Sequence, residues 1–121
     1  MIYISLGSNI GNRISNLRKA VRLLQDGILH NSFESIIIET KAILNNDAPR
    51  EWGRSYLNMI IVGESTLSPD SLLKQLKLIE VQMGRELDSP RWSPRVIDLD
   101  ILMYDDQVIN SNDLQIPHKE L

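Results

Sequence analysis

The sequence predicts an α+β domain, because two stretches of helical periodicity each lie between runs of β-branched residues, with glycine, serine and proline at the joins. Ile2 to Leu6 reads as a short buried strand, and Gly7-Ser8-Asn9 with Gly11-Asn12 as a turn carrying capping residues. From there Ile14, Leu17, Val21, Leu24 and Ile28 recur three and four apart, an apolar stripe on a helix that Gly27 ends. Phe33 to Thr40, with Ile36, Ile37 and Ile38, is expected as the second strand, and Tyr56 to Thr66 as the third. Ser68-Pro69-Asp70 opens a second helix: an N-cap serine, proline at the first helical position, then an acid. Leu72, Leu76, Ile79 and Met83 carry that helix to about Met83 or Arg85. Val96 to Tyr104 is the fourth strand, and Val108-Ile109 with Leu114-Gln115-Ile116 make a short hairpin. The order is βαββαβ. Two helices on one face of an antiparallel sheet is the ferredoxin-like arrangement.

At 121 residues the chain is read as one domain, 1–121, with no internal repeat. A net charge of −3 argues against broad nucleic-acid binding, which needs a basic face. Aromatic residues make up 5% of the chain, too few for the stacking surface of an RNA-binding sheet. There is no cysteine, hence no disulfide framework and no thiolate metal site. No apolar run approaches a membrane span and no basic leader opens the chain, so the expected location is the cytoplasm. Two connections exceed what so small a fold requires: Lys41 to Ser55, which includes Trp52, and Glu86 to Arg95, which includes two prolines. Loops of that length in a compact domain are usually lids or binding loops, the alternative being a tolerated insertion.

The chemistry concentrates in residues 85–100, where Arg85, Arg91, Trp92 and Arg95 precede Asp98 and Asp100. Arginines can hold phosphate oxygens in forks, while carboxylates can hold the metal that shields the remaining charge. Asp98 and Asp100 lie two apart on a strand, so both carboxylates leave one face about 7 Å apart. Ile97, Leu99, Ile101 and Met103 would occupy the opposite face, under the helices. At an effective dielectric near 20 two such charges repel by roughly 2 kcal/mol, and a divalent cation reverses that sign. An Asp-x-Asp taken alone is ordinarily a solvated face; the arginines change the odds.

The prolines of Pro90-Arg91-Trp92-Ser93-Pro94-Arg95 stiffen the loop, and Trp92 offers a flat surface to a heteroaromatic ring. The other reading of Arg91 and Arg95, as partners of Asp98 and Asp100, stays open; such surface pairs stabilise little. Glu80, at the edge of the second helix's stripe, reads by itself as a solvated glutamate. Asn58, inside an apolar strand, either reads a ring edge or bonds to neighbouring backbone. Neither His118 nor His30 carries a signal of its own.

Together these segments resemble the 6-hydroxymethyl-7,8-dihydropterin pyrophosphokinase family of folate biosynthesis. The resemblance runs through Leu6-Gly7-Ser8-Asn9 with Gly11-Asn12, Tyr56-Leu57-Asn58, Ile79-Glu80, Gly84-Arg85, residues 91–102 and Ile116-Pro117-His118. It implies transfer of pyrophosphate from ATP to the hydroxymethyl oxygen of the pterin, giving AMP, with two magnesium ions held by Asp98 and Asp100. It implies catalytic roles for Arg91, Arg95, Asp98 and Asp100. ATP would be bound by Glu80, Arg85, Arg91, Trp92, Arg95, Ile101 and His118. Thr40, Ala42, Ile43, Tyr56, Asn58, Trp92 and Asp98 would form the pterin pocket, with the two long loops as lids.

The sequence departs from the family pattern at Leu87, Asp113, Gln115 and Lys119, where relatives carry other residues. Family members continue past Ile-Pro-His, so the resemblance implies a domain incomplete at its carboxyl end. The segment Pro49-Arg50-Glu51-Trp52 resembles versions fused to dihydropteroate synthase, an expected partner besides the small-molecule substrates. The rival expectation is a ferredoxin-like binding module, or an inactive fragment, without catalysis.

Overall fold

The computed structural model describes residues 1–41, 55–84 and 94–119. Strand β1 (Ile2–Ser8) leads into helix α1 (Arg13–Gln25), then β2 (His30–Glu34), β3 (Ile38–Thr40) and β4 (Tyr56–Glu64). Helix α2 (Pro69–Gln82) precedes β5 (Asp98–Tyr104), and β6 (Ile109–Asn110) pairs with β7 (Gln115–Ile116). Among the described residues β1 to β5 form one antiparallel sheet in the order β2-β4-β1-β5, with β3 also against β4. This is the expected ferredoxin-like α+β fold.

Both helices start where their caps are. Asn12 Oδ1 accepts from the Ser15 N–H at 3.0 Å, and Ser68 Oγ from the Ser71 N–H at 3.2 Å, each satisfying an N–H that the first turn leaves open. After α1 the chain turns at Gly27, whose φ of +86° places it in the region that favours glycine. Leu17, Ala20, Val21 and Leu24 of α1 and Leu72, Leu76 and Ile79 of α2 join Ile2, Ile4, Leu6, Ile61, Leu99 and Ile101 in one apolar cluster. Both helices therefore cover the same face of the sheet. Among the described residues no helix is long and apolar enough to cross a membrane.

Three local expectations need correction. Ile14 opens the apolar spacing of α1 but is 49% exposed; Ala20 lies within the buried stripe instead. The strand expected over Phe33 to Thr40 is two strands against β4, broken where the Ser35 hydroxyl accepts from the Ile60 N–H and the Ser35 N–H donates to the Ile60 carbonyl, both at 2.8 Å. A side chain has taken the place of a backbone acceptor, so the ladder skips. On β5, Ile101 lies opposite Ile4 but Met103 opposite Tyr3, which leaves Leu102 as an extra residue. This bulge restarts the alternation, and Tyr104 rather than Met103 turns into the core. The Tyr104 hydroxyl donates to the Leu67 carbonyl and ties β5 to the segment before α2. Desolvation, then the Asp105 and Glu64 carboxylates, push its pKa above the ordinary value of 10.0.

Candidate active site

Across the uncovered face of the sheet, Gly7 on β1 lies opposite Asn58 on β4 and Asp98 on β5, and Ser5 opposite Ile60 and Asp100. A carboxamide and a carboxylate thus stand about 10 Å apart, two strand spacings, across a residue without a side chain. A Cβ at Gly7 would lie 3.2 Å from Asn58 Oδ1 and 3.2 Å from Tyr56 Cδ1, so both side chains lean over this strip of backbone. Thr40, opposite Tyr56 on β3, accepts from Asn58 Nδ2 at 2.7 Å through its hydroxyl. Through Nδ2 the amide of Asn58 therefore bonds a neighbouring side chain rather than neighbouring backbone. Its orientation is fixed from the β3 side.

Asp98 and Asp100 leave the open face, while Leu99 and Ile101, on alternate positions, are buried under the helices. Asp100 is 43% exposed, and His118 Nε2 lies 3.6 Å from its Oδ1. The backbone explains how a residue so far along the chain arrives there. β5 is an edge strand whose outward groups need partners, and the His118 N–H donates to the Leu102 carbonyl at 2.9 Å.

Glu80 corrects its reading in isolation. It is 4% exposed rather than solvated, and its Oε2 accepts from the Leu99 N–H at 2.9 Å. An outward N–H of the edge strand is thus satisfied by a carboxylate from α2, a charge-assisted bond that offsets part of the cost of burying the charge. Lys77, Glu80, Asp98, Asp100, His118 and Lys119 border a cleft of about 290 Å³, which Ile101, Asp113 and Gln115 also reach.

Arg95 is 5% exposed, and its backbone is held from both sides by Asn9. The Arg95 N–H donates to Asn9 Oδ1 at 2.6 Å, and the Asn9 N–H to the Arg95 carbonyl at 3.0 Å. Asn16 Nδ2 in turn donates to Ser8 Oγ at 3.1 Å and to the Ile10 carbonyl at 3.0 Å, lacing the turn that carries Asn9. Asn9 and Gly7 were not among the site residues expected from sequence, although both fall in the quoted Gly-Ser-Asn turn. The available signal was a polar residue following an apolar strand directly. Ala42, Ile43, Arg85, Leu87, Arg91 and Trp92 lie outside the described residues.

The donor set constrains any metal. Among the described residues no group of three or more histidines, aspartates or glutamates is placed to hold an ion by itself. Two neighbouring carboxylates do fit magnesium, which is commonly bound through one or two carboxylates with phosphate and water completing the shell.

A profile of the 7,8-dihydro-6-hydroxymethylpterin-pyrophosphokinase (HPPK) family matches residues 3–121. The chain belongs to this family. Among HPPK relatives, the 2-amino-4-hydroxy-6-hydroxymethyldihydropteridine pyrophosphokinase of Aquifex aeolicus is 36% identical over 97% of the chain and 69% of its own length. A folate synthesis bifunctional protein of Chlamydia caviae is 44% identical over 99% of the chain, and one of Arabidopsis thaliana 42% identical over 99%. The chain spans about a quarter of the length of these bifunctional relatives, 27% and 24%.

Proposed function

We propose that residues 1–121 form a pyrophosphokinase domain that transfers pyrophosphate from ATP to 6-hydroxymethyl-7,8-dihydropterin in folate biosynthesis. The observation that carries this reading is the row Asn58, Gly7, Asp98, with Asp100 and the cleft lined by Glu80 and His118 beside it. A glycine overlaid by the Tyr56 ring and the Asn58 amide, with carboxylates on the neighbouring strand, suits a flat ring next to a charged phosphate chain. Family membership supports the same assignment.

In this reading Tyr56 stacks on the ring, Asn58 reads its edge, and Thr40, Ala42, Ile43 and Trp92 complete the pocket. Arg91 and Arg95 hold phosphate oxygens, and Arg85, Glu80, Ile101 and His118 hold the nucleotide. The hydroxymethyl oxygen forms a bond to the β-phosphorus, the bridging oxygen leaves with AMP, and the hydroxyl proton passes to solvent. Two magnesium ions, held by Asp98 and Asp100, would supply neutralisation of phosphate charge. Burial of Arg95 and the clamp on its backbone mean that little reorganisation is needed when charge develops, the condition under which a fixed donor is worth about 10²–10³ in rate.

The bifunctional relatives support a second folate-synthesis activity on or beside this polypeptide, and dihydropteroate synthase is our proposal for it. An open reading frame with no second catalytic domain, and no copurifying synthase, would overturn that part. For the transfer itself, AMP formation from magnesium–ATP is measured with and without the hydroxymethyl pterin. Pterin-dependent AMP is expected; ADP as product means single-phosphoryl transfer, and no pterin dependence rejects the assignment.

A further inference from the structure

The ring pocket is walled on one side by the short edge strand β3, all three residues of which are exposed. Apart from its pairing with β4, β3 is held by a contact from α1. Arg13, the first residue of α1, donates through Nη1 to Glu39 Oε2 at 3.0 Å and to the Ser55 carbonyl at 2.9 Å. Glu39 precedes Thr40 and Ser55 precedes Tyr56, and Thr40 and Tyr56 are cross-strand partners. One guanidinium nitrogen therefore bridges the end of β3 to the start of β4, from across a groove of about 330 Å³ bordered by Asn9, Gly11, Glu39 and Ser55.

The exposed ion pair alone would hold little. The second bond, to a backbone carbonyl, is part-buried, and it makes the bridge a constraint on both strands at once. The same turn, four residues earlier, clamps the Arg95 backbone through Asn9.

We infer that Arg13 is a positioning residue for the pterin side of the site: by bridging Glu39 and Ser55 it sets the separation of Thr40 and Tyr56, independently of the phosphate side. The inference rests on the pyrophosphokinase reading for its consequence in catalysis, though not for the bridge itself.

The test uses Arg13→Gln in the full-length protein, with Arg18→Gln, exposed on the same helix, as control. Amide hydrogen exchange at Ile38–Thr40 and Tyr56–Asn58 is expected to quicken roughly three- to tenfold, the range for losing one net hydrogen bond, with β5 unchanged. In steady-state kinetics KM for the hydroxymethyl pterin should rise by a similar factor while KM for magnesium–ATP stays level. Glu39→Gln, which keeps the carbonyl bond, should show the same split more weakly. Arg13→Met, which keeps a long unbranched side chain and loses both bonds, replaces Arg13→Gln if that variant does not fold. Unchanged exchange in these segments, or equal rises in both KM values, overturns the inference. Should the parent protein form no pterin-dependent AMP, the functional reading falls, while the exchange measurement still decides the bridge.

Discussion

On the helix-covered face of the sheet Ile4, Leu6, Ile61, Leu99 and Ile101 are packed out of water, whereas on the other face the same strands carry Ser5, Gly7, Asn58, Asp98 and Asp100. The two sets alternate residue by residue, so they share a backbone and differ in what they are selected by. The covered face answers to volume and the removal of apolar surface from water. The open face gives up that stabilisation: it holds a glycine where a side chain would pack and two carboxylates that repel. Packing alone does not call for that composition.

If the open face were structural, replacing its acids would unfold the protein rather than silence it. Asp98→Ala or Asp100→Ala is expected to lower turnover by about 10²–10³ or more while leaving the unfolding free energy within about 0.5 kcal/mol of the parent. Near-normal AMP formation would remove both acids from the metal role. The converse substitution, Ile4→Ala, should cost about 2–5 kcal/mol of stability, read as a lower denaturant midpoint at unchanged slope, with KM values little altered where the protein stays folded.

Gly7→Ala sharpens the contrast. The added methyl would meet two side-chain atoms at 3.2 Å, and side chains can give. Stability should change by less than about 1 kcal/mol while KM for the pterin rises about tenfold, the scale of one methyl in a binding pocket. A large loss of stability with unaltered KM would make the glycine a packing requirement instead.

The smallest effect belongs to Tyr104. Its folded pKa is raised, so the fold holds the proton more tightly than the unfolded chain does. Its contribution is complete below about pH 10 and is lost as pH climbs through the folded value. Tyr104→Phe should therefore cost about 1 kcal/mol at neutral pH, through the bond to Leu67, and flatten the alkaline limb of the stability curve.

Much of this architecture is legible in the sequence because its signals are local. Asn12 and Ser68 announce helix starts, the spacing of Leu72, Leu76 and Ile79 fixes a face, and Asp98-Leu99-Asp100 alternates across a strand. What stays hidden depends on residues far apart. Ser35 substitutes for a backbone acceptor only because Ile60 lies opposite; Leu102 is extra only relative to β1. Glu80 is buried because β5 presents an unpaired N–H to α2, and Asn9 matters because a residue 86 positions away needs its backbone held. Neither contact leaves a periodic trace. The phosphate-side residues Arg91 and Trp92 remain a reading of the sequence, outside the described residues.

The acids of β5 have a further consequence, for how faithfully the chain finds its fold. A strand that slides one residue against β1 exchanges its two faces. For β5 that slip would carry Asp98 and Asp100 beneath the helices and lift Leu99 and Ile101 into water. Uncompensated burial of an ion costs several kcal/mol, so the misregistered sheet is heavily penalised without any dedicated safeguard. The pair proposed to hold magnesium in the finished fold would, during folding, mark which way this edge strand must dock.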